Sequence, residues 1–579
     1  MKKCIACLSA AALASLAALL AGCDGVRSNG ARAAVSGRMD GLNSSTLVEI
    51  FPTAFGNNMI PFLGNSAYTA TADSYAFDSL LMFNQNDQLT YDLVDKYTFS
   101  PDKRTVTFWI NPQARWSDGA PVTSKDVKLG VDWLASRTYN ITDQGAYGYL
   151  VQNVVGADKP LQDGTTPTGF RIINDREFSL TMPQPDAAVL PSQWAGITPL
   201  PSSVLGRMPM QKWQSSSFNR APTVGSGAFV FKSVVPGQSI TQTRNPYYVF
   251  GAPHIQTVVW KVVMPDVVNG ELASGQIAIA PIHSRDVQKI KELPNLRVAI
   301  LPSNGFSYLG WRLNNAEYGT VFRNVNFRRA VEYAINRDAL VKALDKGYGR
   351  PENGPLPPVN FWYDPRLSHT YAYSPAVADK LLDSIGMRVG ADGWRTLPNG
   401  RSFTPTLTVN SGDPNVQTEA AFIQQFMQAV RIHLRILPPV NFNAILSQLD
   451  NDRKGAQPIQ GFLLAWSLAA DPDPRGLWRS GDNLNATSID WTDTRDPAVV
   501  QSDRLIHLQH SEAAFNLSYR KQIIYRFETL LNQQVPENFL TTDDSIYAYN
   551  KQVHGLVWSP YTFGTPIDPW KWWIAPSSA

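Results

Sequence analysis

Short runs of alternating hydrophobic and polar residues predict strands in the first half of the chain. Thr105–Ile110 alternates in this way and follows the turn Ser100–Lys103, which predicts a strand. Thr123–Asp126 has the form of a helix-capping box and predicts a helix that runs to about Ser136. Further strands are predicted in Phe170–Met182, which contains two, and in Gly225–Phe231, Ser239–Gln242 and Val258–Val263.

In the second half, apolar residues recur mainly at helical spacing. Phe327–Ile335 and Asp338–Lys346 predict a helix pair that ends at Gly347. The nearly unbroken apolar run Gln460–Leu468 predicts a buried strand instead. Because strands and helices alternate along the chain, we predict an α/β fold built of lobes. Other helices are predicted in Thr418–Leu434, Pro497–Ser511 and Tyr519–Gln533.

Composition and charge indicate a folded protein without affinity for nucleic acid. The chain has 579 residues, of which 44% are hydrophobic and 17% charged, so it can bury a sizeable core. Its 51 Lys and Arg residues nearly balance its 48 Asp and Glu residues. This balance, with no long basic run, excludes the electrostatic footprint of a nucleic-acid-binding protein.

The first 23 residues have the pattern of a bacterial lipoprotein leader. Lys2 and Lys3 precede the apolar run Ile5–Leu20, and Leu20–Cys23 matches the lipoprotein cleavage box. We therefore predict a signal peptide over 1–22, lipid attachment at Cys23 and a tether over 23–44. The alternative is an N-terminal membrane anchor with a chance cysteine, although this run is short for a spanning helix.

Cysteine usage agrees with export. The three cysteines are Cys4, Cys7 and Cys23, so cleavage would leave a single cysteine that carries lipid. The mature chain would then have neither a disulfide nor a cysteine metal site. Beyond Cys23 the sequence shows no second stretch apolar enough to span a membrane.

Catalytic and metal-binding motifs are not found in the sequence. It lacks a nucleophile elbow, a zinc-protease motif, a phosphate-binding loop and a dinucleotide fingerprint. His507 and His510 lie three residues apart on a predicted helix, where a solvated helix face explains them better than a metal does. We predict no enzyme activity, no catalytic residue, no metal and no cofactor.

Two carboxylates stand close together in the stretch Ala465–Gly476, at Asp471 and Asp473. Each precedes a proline, which favours extended backbone and makes the pair a poor clamp around a bond to be cleaved. Two interpretations remain: a stiff turn with solvated acids, or a loop that contacts a ligand.

An ordered series of motifs resembles the solute-binding proteins of ABC importers, in the class that binds peptides, nickel or oligosaccharides. The resemblance runs from about residue 45 to 575. Its motifs are Ala76–Leu80, Phe99–Asp102, Trp116–Val127, Gly225–Phe229, Pro236–Gln238, Arg244–Tyr248, Asn324–Ala343, Gly347–Gly349 and Gly354–Pro358.

This resemblance implies a two-lobed clamshell of the periplasmic-binding-protein type, with an extra subdomain in the first lobe. It places lobe I over 45–304 with the subdomain at about 85–190, lobe II over 305–535, and a C-terminal segment over 536–579 that returns to lobe I. The implied protein is a monomer that captures a peptide or other small solute between its lobes. It is anchored by lipid on the extracytoplasmic face of the cell membrane and delivers the solute to an ABC permease with its ATPase subunits.

The resemblance also implies where the ligand binds. Family members that bind peptides hold the ligand's ammonium group with an aspartate three residues after a tryptophan; here Trp466 matches the tryptophan, but Ala469 stands at that position. Asp471 or Asp473 would have to take that role. The candidate ligand-binding residues are Trp466, Ser467, Asp471, Asp473, Tyr308 and Trp311, the last two taken from the segment Phe306–Asn314.

The missing aspartate leaves the ligand and the function open. Blocked or cyclic peptides, glycopeptides and oligosaccharides are alternatives to a peptide with a free amine. A regulatory or scaffolding envelope lipoprotein that no longer transports is a second function, and a secreted hydrolase is a third, disfavoured by the missing motifs.

Overall fold

The computed structural model describes residues 42–64, 67–411, 414–453, 459–482, 484–561 and 566–576. The predicted leader, Cys23 and nearly all of the predicted tether lie outside the described residues. Within those ranges, no helix combines the length and the apolar character needed to cross a bilayer.

Strands are distributed along the whole described chain. Their bounds are β1 (Thr46–Phe51), β2 (Leu81–Phe83), β3 (Leu89–Tyr91), β4 (Val94–Phe99), β5 (Thr105–Ile110), β6 (Phe170–Asn174), β7 (Glu177–Thr181), β8 (Phe229–Val235), β9 (Ser239–Arg244), β10 (Thr257–Val262), β11 (Ile279–Pro281), β12 (Leu296–Pro302), β13 (Gly305–Trp311), β14 (Gly349–Pro351), β15 (Thr406–Thr408), β16 (Arg435–Ile436), β17 (Gly461–Ser467), β18 (Asn538–Phe539), β19 (Thr541–Asn550), β20 (Val553–His554), β21 (Val557–Trp558), β22 (Pro566–Ile567) and β23 (Trp573–Ile574).

The longer helices lie mainly in the second half. Their bounds are α1 (Ala67–Ala76), α2 (Ser124–Ala135), α3 (Val189–Ser192), α4 (Ser217–Arg220), α5 (Pro265–Ser274), α6 (Val287–Lys291), α7 (Gly319–Phe322), α8 (Val325–Ala334), α9 (Arg337–Leu344), α10 (Pro375–Ser384), α11 (Pro414–Ala429), α12 (Phe442–Arg453), α13 (Arg475–Trp478), α14 (Pro497–His510) and α15 (Leu517–Gln534).

Most of the predicted helices and strands are confirmed. Some of them end at other residues than the hydrophobic pattern predicts. Strand β5 has the predicted bounds, and the capping box forms at the start of α2, where the Asp126 carboxylate accepts from the backbone N–H of Thr123 at 2.7 Å. Helix α11 stops earlier than predicted, because Arg431 takes a left-handed backbone conformation (φ 60°) that a continuing helix does not allow. Apolar spacing alone does not reveal that change of hand.

The first core gathers around two sheets. In one sheet the order is β1-β10-β9-β8, with β1 and β10 parallel; in the other it is β4-β5-β7-β6, all antiparallel. Alternating side chains of β5 point inward, and Phe108 stacks on Phe178 of β7 with ring centroids 5.1 Å apart. This core contains residues from Leu42 to Ile279 and again from Val553 to Ile574.

The second core lies around one mixed sheet in the order β16-β15-β17-β13-β18. Strands β13 and β17 pair antiparallel over seven residues, from Gly305 opposite Ser467 to Trp311 opposite Gly461. Helices α8, α11, α14 and α15 contribute apolar residues to this core, which spans Phe306 to Leu540.

Strand β19 connects the two cores. It pairs with β11, β12 and β14, and it begins one residue after Leu540 of the second core. Its far end carries Tyr547 and Tyr549, which pack against the first core. The chain therefore passes between the cores at two neighbouring places, after β12 and before β19.

The fold is a two-lobed clamshell of mixed α/β type, as predicted. We propose that the lobes are divided near residues 305 and 535; core membership supports the first boundary, and it extends the second lobe to Leu540 at the second boundary. The boundaries of the inserted subdomain likewise remain a proposal.

Candidate functional site

A cavity of about 740 Å³ lies between residues of the two lobes. This volume is in the range of small-molecule sites in proteins. Tyr149, Gln152, Asn153, Ser192 and Gln193 line it from the first lobe, and the facing wall comes from the second lobe.

The second-lobe wall is the end of β17 and the loop that follows it. The wall begins with Trp466 and continues through the two Asp-Pro pairs to α13. Asn304 fixes the start of this loop, since its Nδ2 donates to the carbonyl oxygens of Leu468 and Ala469, both at 3.0 Å. Asn360 in turn donates to the Asn304 side-chain oxygen at 3.0 Å. The loop is therefore held by side-chain amides rather than by a sheet.

Of the aromatic candidates, Trp466 lines the cavity, Tyr308 packs behind it, and Trp311 lies in the second core at the far end of the β13–β17 pair, opposite Gly461. Tyr308 is fully buried and lies parallel to Trp466, with ring centroids 6.2 Å apart. Trp311 is also buried; its Nε1 donates to the Asn538 side-chain oxygen at 3.0 Å, and its ring packs against Phe322. Ser467, at the end of β17, is exposed and lines the cavity.

Asp471 lines the cavity as half of a buried ion pair. Its two carboxylate oxygens accept from both terminal nitrogens of Arg520, at 2.6 and 2.8 Å. The guanidinium of Arg520 also lies over the ring of Trp362, 4.6 Å from its centroid. Since both charged groups are nearly inaccessible, the pair is a fixed part of the wall.

Asp473 belongs to a charge cluster that joins the two lobes. Arg475 donates its Nε to both carboxylate oxygens of Asp473, at 3.1 and 3.0 Å, and its Nη1 to Asp186 of the first lobe at 2.8 Å. His510 lies between the two acids, with Nδ1 2.9 Å from Asp186 and Nε2 3.1 Å from Asp473. Asn153 donates a further hydrogen bond to Asp186 at 2.9 Å.

The cluster shifts the titration of its own members. Burial alone would lower the pKa of His510, but the carboxylates of Asp186 and Asp473 raise it overall. Burial alone would raise the pKa of each of these acids, but His510 and Arg475 hold both values below their usual range. The cluster therefore favours the ionised carboxylates of Asp186 and Asp473 and the protonated imidazole of His510.

Two interpretations from the sequence need correction. Asp471 and Asp473 do not form a turn of solvated acids, because Asp471 is 4% exposed and both acids are ion-paired. His510 does not lie on a solvated helix face; it is buried by the first-lobe loop that carries Asp186, whereas His507 is exposed. Among the described residues, no group of three or more His, Cys, Asp or Glu side chains is arranged to hold a metal ion.

A second cavity, of about 410 Å³, shares Trp466, Ser467 and Leu468 with the first. Its lining is acidic, with Asp345, Glu419 and Asp543. Burial, together with the neighbouring carboxylates of Asp543 and Asp544, raises the pKa of Asp345 to about 7. Its carboxyl group is consequently about half protonated at neutral pH.

Several residues of the site have no signal in the sequence. Asp186 and His510 are 324 positions apart, and Asp471 and Arg520 are 49 apart, so no local motif joins them. Gln193 and Gln509 line the cavity from opposite lobes and likewise stand in no recognisable pattern. The one available hint was the pairing of aspartate with proline, which indicates a rigid loop but not its partners.

Comparison with known proteins shows which family the chain belongs to. The profile described as "Bacterial extracellular solute-binding proteins, family 5 Middle" matches residues 88–488. The chain is 24% identical over 383 residues to the oligopeptide-binding protein AppA of Bacillus subtilis, covering 65% of this chain and 66% of that protein. It is 24% identical over 537 residues to a Brucella ovis protein named as an ABC transporter peptide-binding protein, covering 91% of this chain and 93% of that protein.

Solved structures show the same fold with different ligands. AppA of Bacillus subtilis, in complex with a nonapeptide, superposes with a TM-score of 0.74 at 19% identity, covering 92% of this chain and all of that one. NikZ of Campylobacter jejuni, in complex with Ni(L-His), superposes with a TM-score of 0.72 at 20% identity and the same coverage. Since its profile matches more than half of the sequence, the chain belongs to family 5 of the bacterial extracellular solute-binding proteins.

Proposed function

We propose that this protein is the extracytoplasmic receptor of an ABC importer and captures oligopeptides in the cavity between its lobes. The observation that carries the proposal is the cavity itself, of about 740 Å³, whose wall is formed by both lobes. A ligand in that position contacts the two lobes together and therefore favours the closed form. The peptide ligand of the similar AppA structure supports the choice of solute.

The proposed chemistry is binding and release without breaking a bond. The charged side chains of the wall are held in ion pairs, which suits a rigid binding surface rather than proton transfer. The closed form would then be recognised by a permease, and the solute released into it. We propose that the receptor acts as a monomer.

We also propose that Cys23 carries the lipid that keeps the receptor on the extracytoplasmic face of the membrane. A cell that incorporates an alkyne-labelled fatty acid should label the wild-type chain and not Cys23→Ala. Equal labelling of both chains would contradict the lipid site.

Ligand binding is tested by native mass spectrometry of the delipidated protein, followed by thermal melting with peptide and glycan libraries. Clamshell receptors often retain cargo, so a co-purifying peptide series is expected, and bound peptide should raise Tm. Ala469→Trp fills the cavity and should abolish the shift, whereas Ala252→Trp, on an exposed loop outside the cavity lining, should retain it. Absence of both cargo and any melting shift would contradict the receptor function.

Transport is tested separately, by uptake of a labelled peptide that the purified protein binds. Cells that lack the gene should lose uptake and regain it with the wild-type chain but not with Ala469→Trp. Unchanged uptake without the gene would favour a regulatory or scaffolding role for the same fold.

A further inference from the structure

Both ring nitrogens of His510 face carboxylates, and these carboxylates belong to different lobes. Nδ1 lies 2.9 Å from Asp186 of the first lobe, and Nε2 lies 3.1 Å from Asp473 of the second lobe. A neutral imidazole carries a single N–H, so it donates to one of these acids and turns a lone pair toward the other. The protonated ring donates to both acids. This bridge between the lobes is therefore complete only when His510 is protonated.

The groups around His510 do not replace that proton. Arg475 contacts Asp186 and Asp473, but its one positive charge faces two negative charges. When His510 is neutral, the buried cluster keeps a net negative charge, and carboxylates from different lobes repel each other. The other polar or titratable neighbours of the two acids are Asn153, which is uncharged, Tyr149, and Arg520, which is paired with Asp471.

Closure of the lobes changes how tightly His510 holds its proton. In the structure the residue is 8% exposed, and the backbone N–H of Ala187, next to Asp186, donates to its carbonyl oxygen at 3.3 Å. Burial alone would lower the pKa of His510, but the carboxylates of Asp186 and Asp473 raise it above its ordinary value. Separation of the lobes removes Asp186, so this pKa moves back toward about 6.5. Closure therefore takes up protons at pH values above about 6.5.

A second contact between the lobes depends on protonation in the same direction. Asp87 of the first lobe, in the turn between β2 and β3, lines a cavity of about 410 Å³ together with Phe361 and Asp471 of the second lobe. Burial and, to a smaller extent, the Asp471 carboxylate raise the pKa of Asp87 to about 8, although a hydrogen bond from the backbone of Phe361 opposes them. The other charged or titratable groups near this contact are Arg520, Lys521 and Tyr561.

The state of Asp87 also differs between open and closed lobes. At neutral pH its carboxyl group is mostly protonated in the structure, which allows it to lie beside Asp471. Away from the second lobe it would return toward the ordinary aspartate pKa of about 3.9 and ionise. Closure at neutral pH therefore takes up a proton at Asp87 as well as at His510.

We infer that the receptor closes with uptake of protons at these two contacts, so that acid conditions hold the solute and alkaline conditions release it. This regulation rests on the proposed function for its solute, whereas closure itself is a property of the two lobes. For each proton taken up, the equilibrium constant of closure falls by up to about tenfold per pH unit. The affinity for a solute that needs the closed form falls by the same factor.

The test is small-angle X-ray scattering of the delipidated protein, freed of co-purified cargo and without added peptide, from about pH 5.5 to about pH 9. The radius of gyration should increase with pH, mainly between about 6.5 and 8, where both groups lose their protons. A constant radius overturns the inference and leaves the proposed function standing, because the measurement involves no peptide. A failure to bind peptides, in contrast, contradicts the proposed function and leaves this curve as it is.

Two variants should move the curve in opposite directions. His510→Gln has no charged form, so it should have the larger radius already at acid pH. Asp87→Asn stays neutral, so it should remain compact to higher pH than the wild type. A curve like that of the wild type in both variants overturns the inference. Melting curves show whether each variant is folded, and if His510→Gln is not, the shift in Asp87→Asn decides alone.

Matched substitutions separate these contacts from other titrations. His507→Gln changes the exposed face of the same helix, and Asp95→Asn changes an exposed position of β4 in the first lobe. If these variants shifted the curve as His510→Gln and Asp87→Asn do, the effect would belong to the helix or to overall charge, and the inference would be wrong. The pKa of Asp345 in the second cavity is also near 7. A pH dependence that is lost only in Asp345→Asn would place the proton there and overturn the inference.

Discussion

At the scale of single residues, the two aspartates of the cavity wall are stabilised in different ways. Asp471 is neutralised by one arginine of its own lobe, whereas Asp473 is part of a cluster that reaches Asp186 in the other lobe. Buried charges of this kind persist only with good partners, because the interior does not solvate them. Replacing either aspartate therefore tests a different property of the molecule.

Asp471→Asn should destabilise the protein strongly, since it leaves Arg520 buried without its counter-charge. We expect a loss of about 3 to 5 kcal/mol in the free energy of unfolding, measured by urea denaturation. Asp482→Asn removes a more exposed ion pair and should cost at most about 1 kcal/mol. Equal losses in the two variants would show that burial of the Asp471 pair has no special role.

His510 should make stability depend on pH above neutrality. Its pKa is raised in the folded state, so its contribution is complete below its unfolded value of about 6.5 and is lost as pH rises through the folded value. The stability difference between wild type and His510→Gln should therefore shrink as pH rises above about 6.5. His507→Gln, on the exposed face of the same helix, controls for the effect of the substitution on the helix itself. A difference that stays constant with pH would contradict the assignment of a charged His510.

The sequence was informative about the wall but not about its charges. The resemblance to solute-binding proteins predicted Trp466 and Ser467 as ligand-binding candidates, and both line a cavity in the structure. Their role in ligand binding, like that of Asp471 and Asp473, stays a prediction. The partners Arg520 and Asp186 were missed because ion pairs between distant positions depend on tertiary packing, which a single sequence does not display.

At the scale of elements, the close pairing of β13 and β17 holds the cavity wall in place. Gly305 lies opposite Ser467, and a Cβ atom there would be 2.4 Å from the backbone oxygen of Trp466. The two strands can approach this closely only because residue 305 has no side chain. The nearly unbroken apolar run predicted the strand over 460–468, but local sequence pattern could not identify the strand that pairs with it.

Gly305→Ala should push the two strands apart and displace Trp466. We expect a loss of about 1 to 3 kcal/mol in unfolding free energy and weaker peptide binding. Gly270→Ala is the matched control: residue 270 is at an exposed position of α5 with nothing near its Cβ, so the substitution should stabilise the protein by about 0.5 to 1 kcal/mol. Crystal structures of both variants would show whether β13 moved, and an unmoved strand would contradict this account.

At the scale of the whole molecule, the charge cluster around Asp186 joins the two lobes. Asp186 is the first-lobe member of the cluster, and it contacts Arg475 and His510 of the second lobe. Since the proposed binding mode uses both lobes, a change at Asp186 should alter the population of the closed form without removing a residue that lines the cavity.

Asp186→Ala should lower peptide affinity and expand the average shape in solution. Small-angle X-ray scattering of the ligand-free variant should give a larger radius of gyration than wild type, and saturating peptide should restore the compact value. Asp493→Asn removes an ion pair contained within the second lobe and should change neither quantity. An unchanged radius in Asp186→Ala, with reduced affinity, would assign Asp186 to the ligand rather than to the lobes.

The two chain passages between the lobes have a mechanical consequence. Strands β12 and β19 stay paired up to the last residue of β12, where Pro302 lies opposite Asp544. The hydroxyl group of the next residue, Ser303, lies 3.0 Å from the hydroxyl group of Ser545. Two hydrogen-bonded strands resist torsion about their length and sliding past each other, but they flex readily across their plane. We therefore expect the lobes to open and close mainly by bending across this joint.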